Sequence, residues 1–252
     1  MNLKLHIAWL YPDLMSTYGD RGNVITLQNR AEWRGIKTQV VPITIETPIK
    51  KLEECDLIFM GGAQYRQQQI ASSDFLKCKS PVIKKMIERD IPALFVCAAY
   101  QFAGHYYQPY QGERIMGGGI LDLYTVHPGD QAKRLIGNVT AILDSKFKIQ
   151  DSKFNTIVGF ENHGGRTYLG EKTKPLAKIK RGFGNNGEDG YEGAIYKNVI
   201  GSYFHGPLLP KNPILADWLL EKALQIRYNK EIILLQLDDT LESQAHNAML
   251  AR

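Results

Sequence analysis

The chain has 252 residues, 44% of them apolar and 23% charged, with a formal charge of +5 at neutral pH. This is an ordinary globular composition with room for one large domain or two small ones, and it argues against a disordered chain or a strongly basic nucleic-acid binder. The three cysteines, Cys55, Cys78 and Cys97, lack C-x-x-C spacing, so neither a disulfide framework nor a zinc site is expected. No apolar run reaches the length of a membrane span. The first stretch, with Lys4 and His6 inside it, has no cleavage site after it, so a cytoplasmic location is expected.

In chain order, Leu5 to Leu10 predicts a first strand, and Asn23 to Trp33 a helix closed by Gly35, whose missing side chain suits a left-handed cap. TQVVPI and DLIFMGG predict strands two and three. Pro81 to Arg89 predicts a helix and ALFV, from Ala93, a fourth strand. Strands apolar on both faces and alternating with helices imply a doubly wound, mostly parallel α/β sheet. The second half changes to glycine-punctuated strands, GERIMGGGILDLYTVHP, RLIGNVTAIL, NTIVGFENHGG, LAKIKRG and GAIYKNVIGSYFHG, expected as an antiparallel extension of the same sheet. Asn212 and Pro213 then open a helix, as N-cap and first-turn proline, with Leu215, Trp218 and Leu219 on one face. No linker divides the chain, so residues 1–252 are expected to form one domain. Residues 228–252 are its tail, packing a short apolar segment and ending in a frayed helix.

Cys97 stands where the fourth strand passes into the helix-forming run Ala98, Ala99, Gln101, Ala103. In open parallel sheets reactive groups gather beyond the carboxyl ends of the strands, and the unpaired N–H groups of a helix start favour a thiolate. Cys97 therefore reads as a nucleophile on a strand-to-helix turn, or else as a small buried residue ending a strand. Cys55 and Cys78 lack that setting. Of the six histidines, His205 ends the apolar strand before Gly206 and Pro207, and His163, beside Gly164 and Gly165, is its competitor. Gly61 and Gly62 end the third strand, where a backbone N–H can approach a ligand; with the N–H of Ala98 they offer an oxyanion site. No phosphate-binding glycine loop, dinucleotide fingerprint, zincin or EF-hand motif is present.

The segments YGDRGNV (18–24), GGAQYRQQ (61–68), CAAYQFAG (97–104), GFENHGGRT (159–167), GNN (184–186) and SYFHGPLLPKNPILAD (202–217) together resemble the CobQ/CobB-type class I glutamine amidotransferases. More narrowly, they resemble the glutaminase subunits of bacterial lipid II isoglutaminyl synthase. The resemblance implies Cys97 as nucleophile, His205 as catalytic histidine, Gly62 and Ala98 as oxyanion donors, and Gln101 and Arg134 as substrate contacts, Arg134 through the glutamine carboxylate. It also implies ammonia delivery to a MurT-like Mur-ligase subunit, which would carry ATP and Mg and amidate the D-glutamate of lipid II; no cofactor is expected on this chain. The alternative is the glutaminase of another CobQ/CobB-type synthetase, or a related cysteine hydrolase. Departures are Ala98–Ala99 where many relatives have two glycines, no acidic residue after the glutamine of GGAQ, and Pro207 where many class I enzymes carry a glutamate two residues after the histidine. Asp217 and Glu161 could supply the missing carboxylate only if the fold brings them near; the resemblance suggests instead that the partner supplies it, so the isolated chain is expected to bind glutamine but hydrolyse it slowly.

Overall fold

The computed structural model describes residues 3–144 and 155–251; the rest of the 1–252 range assigned to one domain lies outside the described residues. Strand β1 (Lys4–Leu10) is followed by helix α1 (Arg21–Glu32), which ends at Gly35 with φ +71°, a left-handed position that glycine adopts without a Cβ penalty. Strand β2 (Lys37–Ile43), the short α2 (Ile49–Glu53) and β3 (Leu57–Met60) come next. Helix α3 (Tyr65–Asp74) was not foreseen: YRQQQIASSD is largely polar and buries only Gln68 and Ala71. A π-helical turn, Phe75–Lys79, joins it to α4 (Ser80–Glu88), and β4 (Ala93–Val96) leads through Cys97 into α5 (Ala98–Ala103).

The second half contributes β5 (Tyr106–Gln108), β6 (Ile115–Met116), β7 (Leu123–Val126), β8 (Leu135–Leu143), β9 (Thr156–His163), β10 (Arg166–Leu169), β11 (Ala177–Arg181), β12 (Tyr191–Glu192), β13 (Ala194–Tyr196) and β14 (Val199–Ser202). The chain closes with α6 (Pro213–Tyr228) and α7 (Thr240–Leu250). The central sheet has the order β13-β14-β4-β3-β1-β2; its strands run parallel except β13, the antiparallel extension. Only the last of the five second-half runs joins this sheet. The others form two separate four-stranded sheets, β10-β7-β5-β6 and β12-β11-β8-β9, because their strands alternate buried and exposed residues and cover one face of the core instead of lying within it.

Alternation along the parallel strands builds two cores. Leu5, Ile7, Leu57, Phe59, Leu94 and Val96 face α1 and α6, whereas Ala8, Leu10, Ile58, Met60, Ala93 and Phe95 face α3, α4 and α5. Each fully buried large apolar side chain contributes roughly 1.5–3 kcal/mol. Helix α5, six residues long and wholly buried, is too short to be stable alone, so packing on the sheet holds it in place. Leu215, Trp218 and Leu219 of α6 join the first core as expected. Asn212, however, does not cap α6: its side chain accepts from the Val158 N–H and donates to the Val158 and Leu208 carbonyls, pinning β9 to the turn before the helix.

The tail is tied down more firmly than a frayed helix would be. Buried Arg30 of α1 donates to Asp217 and to Asp239, and Arg34 donates to Asp217 and the Leu235 carbonyl. His246 of α7 is buried between the Thr156 hydroxyl and the Lys211 carbonyl. Ile232 and Leu234 pack on the core while Ile233 and Leu235 stay exposed. No helix among the described residues is long and apolar enough to cross a membrane.

Candidate active site

Four adjacent parallel strands deliver the site at their carboxyl ends, where a doubly wound sheet collects ligands. Beyond β4, Cys97 adopts φ 55° and ψ −106°, a sparsely populated conformation for a residue with a Cβ. The bend is held from both sides: the Cys97 N–H donates to the Ser202 carbonyl at the end of β14 (2.8 Å), and the Cys97 carbonyl accepts from the Gln101 N–H (3.0 Å). The strain turns the side chain off the strand line at the first turn of α5, the setting of a nucleophile elbow.

His205 follows β14 and is fully buried. Its backbone exchanges hydrogen bonds with Phe160 of β9, so a second sheet fixes its position. Nδ1 lies 3.0 Å from Asp20 Oδ1. Nε2 is buried with no hydrogen-bond partner among the described residues, and Cys97 lies close enough for its charge to act on the ring. Burial disfavours the imidazolium, but negative charge at Cys97 and the hydrogen bond that the ring donates to Asp20 outweigh it, and the ring's pKa is pushed up to about 10. An imidazole held by a carboxylate beside a cysteine can give a proton to a leaving group and, once neutral, take one from water.

Sequence reasoning missed Asp20. It sits at the start of α1, fully buried, and its second oxygen accepts from the Gly62 N–H at 2.6 Å. The segment YGDRGNV had marked the place without giving it a task. Gly22 leaves room for Pro207, whose Cγ would be 2.4 Å from a Cβ there, and Asn23 accepts from the Leu209 N–H, so the same turn also shapes the chain after His205. The two in-chain alternatives are occupied elsewhere. Asp217 pairs with Arg30 and Arg34, and Glu161 accepts from the N–H groups of Phe183 and Gly184. The expectation of a carboxylate from a partner is corrected in the same way, since Asp20 already fills that position.

Gly62 is at the site, but its N–H is engaged by Asp20 and is not a free oxyanion donor as expected. Its missing side chain matters more: a Cβ there would lie 2.8 Å from His205 Cε1, 3.2 Å from Asp20 Oδ2 and 3.3 Å from Cys97 Cβ. Ala98 is buried at the first position of α5, beside Cys97. Gln101, one turn on, donates to the Tyr203 hydroxyl at 3.2 Å. Tyr203 also bonds Thr167 and stacks on His163 at 3.6 Å, nearly parallel. His163 is thus part of a wall: one ring nitrogen bonds the Gly165 carbonyl, and burial lowers its pKa. Arg134, just before β8, donates to Asn162 on the paired strand β9. Burial and the charge of Cys97 raise the Tyr107 phenol while Arg134 lowers it.

A doubly wound sheet that brings a strained cysteine on a strand-to-helix turn, a buried histidine and a buried carboxylate to its carboxyl end has the architecture of the class I glutamine amidotransferases. A chain of the PurLQS structure from Thermotoga maritima has the same fold, with a TM-score of 0.59 over 91% of this chain and 100% of that one at 16% identity. The model of the CobB/CobQ-like glutamine amidotransferase domain matches residues 6–213, and the chain belongs to that family of glutamine-hydrolysing amidotransferases. Among its relatives, a protein of Staphylococcus aureus (strain N315) named lipid II isoglutaminyl synthase (glutamine-hydrolyzing) subunit GatD is 41% identical over 99% of this chain and 96% of its own length. The protein of the same name from Streptococcus pneumoniae (strain ATCC BAA-255 / R6) is 38% identical over 96% and 88%.

Proposed function

We propose that the chain is the glutaminase subunit of a lipid II isoglutaminyl synthase. In this reading the Cys97 thiolate attacks the side-chain carboxamide of L-glutamine, and the Ala98 N–H at the start of α5 stabilises the oxyanion. His205 Nε2 then protonates the departing ammonia, and a γ-glutamyl thioester remains on Cys97. Water attacks the thioester with His205 as base, and glutamate leaves. Asp20 holds the ring tautomer and stabilises the imidazolium. Gln101 lines the amide end of the pocket, and Arg134 receives the substrate carboxylate through its guanidinium fork. The single observation that carries this mechanism is the Cys97–His205–Asp20 arrangement at adjoining strand ends.

The ammonia passes to a MurT-like Mur-ligase subunit, which binds ATP and Mg and amidates the D-glutamate of the lipid II stem peptide in the cytoplasm. Near-complete coverage of both chains by the two named relatives supports this acceptor over that of another CobQ/CobB-type synthetase. The test is transfer of isotope from amide-labelled glutamine. With ligase, ATP and lipid II present, labelled nitrogen should appear in the amidated stem peptide. It should vanish with the Cys97→Ser chain and return, unlabelled, on adding an ammonium salt. Label that reaches only free ammonium would assign the chain to a different synthetase.

A further inference from the structure

We propose that Asn162 is a positioning residue that locks Arg134 in its substrate-binding pose and ties that pose to a cover over His205; the inference rests on the reading of Arg134 as the glutamine-carboxylate contact. Arg134 places Nε and Nη2 on the Asn162 side-chain oxygen at 3.0 and 2.9 Å, and Nη2 also reaches the Asn162 backbone carbonyl at 3.0 Å. One edge of the guanidinium is therefore used up. Nη1 is left facing Gly164, where a Cβ would come within 3.5 Å of it and narrow the approach. A guanidinium held along one edge loses little further freedom when a carboxylate takes the other.

The other half of the Asn162 amide faces away. Its Nδ2 donates to the Tyr18 hydroxyl at 3.0 Å, and the Tyr18 ring stands edge-on to the His205 ring, 5.0 Å between centroids. Tyr18 has φ 56°, a left-handed pose in the turn that also carries Asp20, and the neighbouring Thr17 N–H donates to the Gly62 carbonyl. The two atoms of one amide thus link the group that grips substrate to the ring that lies against the catalytic histidine. Aspartate would not serve equally. It keeps an acceptor for Arg134, yet its charge neutralises the guanidinium that has to attract the glutamine carboxylate.

The test compares steady-state ammonia release by the full-length wild type with that of Arg134→Ala, Asn162→Ala, Asn162→Asp, Tyr18→Phe and the Tyr18→Phe/Asn162→Ala pair. Asn162→Ala should raise KM for glutamine roughly tenfold, the scale of one lost hydrogen bond to a charged group, and should also lower kcat. Asn162→Asp, which preserves size and the acceptor for Arg134 and lets the Tyr18 hydroxyl donate where it accepted before, guards against misfolding and should raise KM with kcat largely kept. Tyr18→Phe should cost several-fold in kcat/KM alone but add little on top of Asn162→Ala, because both cut one chain of contacts. If Arg134→Ala raises KM while both Asn162 variants stay within about twofold of wild type, the positioning role is overturned and the Arg134 reading survives. Multiplicative losses in the pair would overturn the tie to Tyr18. An unchanged KM in Arg134→Ala would instead remove the carboxylate reading, and this inference with it.

Discussion

Asp20 and His205 stand 185 residues apart in sequence and meet through a 3.0 Å hydrogen bond at the carboxyl end of the sheet. The other oxygen of Asp20 takes the Gly62 N–H, so the carboxylate is held at both ends before it orients the ring. Replacing it with asparagine keeps the shape and removes the charge that fixes the tautomer. Asp20→Asn should lower kcat by roughly a hundredfold to ten-thousandfold with little change in KM. Ammonia release by the isolated chain, with no partner added, checks this; the carboxylate is already in the chain, so the wild type should turn over unaided.

Gly62 has no room for a side chain. A methyl group there meets His205 Cε1 at 2.8 Å and Cys97 Cβ at 3.3 Å, so Gly62→Ala has to displace His205 or Cys97. Overpacking of this kind costs about 1–3 kcal/mol of stability. The loss in kcat should be larger than that cost suggests, a hundredfold or more on the scale of a misplaced catalytic group. A melting curve beside the kinetics separates the two effects.

The pH dependence of stability follows from His205. Its pKa is raised from 6.5 to about 10 in the fold, so the native chain holds a proton through a window in which the unfolded chain has released it. The stabilisation is complete below pH 6.5 and is lost as the pH rises toward 10. Cys97→Ala removes the negative charge that faces the ring and should flatten this part of the profile. Urea unfolding midpoints of both proteins at pH 6.5 and at about pH 9.5 measure the difference.

The tail should count as part of the fold. Arg30 is 1% exposed and bonds both Asp217 and Asp239, which joins α1, α6 and the start of α7. Truncating one member of a buried charged set leaves its partners uncompensated, so Arg30→Met should destabilise the chain by about 3–5 kcal/mol in chemical denaturation. Asp239→Asn should cost less, because Asp217 still accepts from Arg30. Neither change touches the catalytic groups, so turnover of the folded protein should persist.

The parallel sheet was legible because its strands are apolar on both faces, and Cys97 because an apolar run ends on it and helix formers follow at once. His205 was legible as the end of another such run. Asp20 was not: no local pattern marks a carboxylate that arrives from the turn after β1, and the spacing at which such a residue is usually sought holds Pro207. The two outer sheets were misassigned to the central one because alternation shows that a strand has a buried face but not which layer it covers. Helix α3 was hidden by its polar composition. The occupation of the Gly62 N–H depends on a carboxylate contributed 42 residues upstream, which strand-end geometry alone does not disclose.

The central claim is that Cys97 is the nucleophile for glutamine. The direct measurement is inactivation by a glutamine analogue bearing an electrophilic ketone in place of the amide, followed by mass-spectrometric mapping of the label. The account predicts one label per chain, on Cys97, with activity lost in proportion and protection by glutamine, while Cys55 and Cys78 stay free. Loss of activity with the label on either of those two, or glutamine-protected inactivation that leaves Cys97 unmodified, would contradict it.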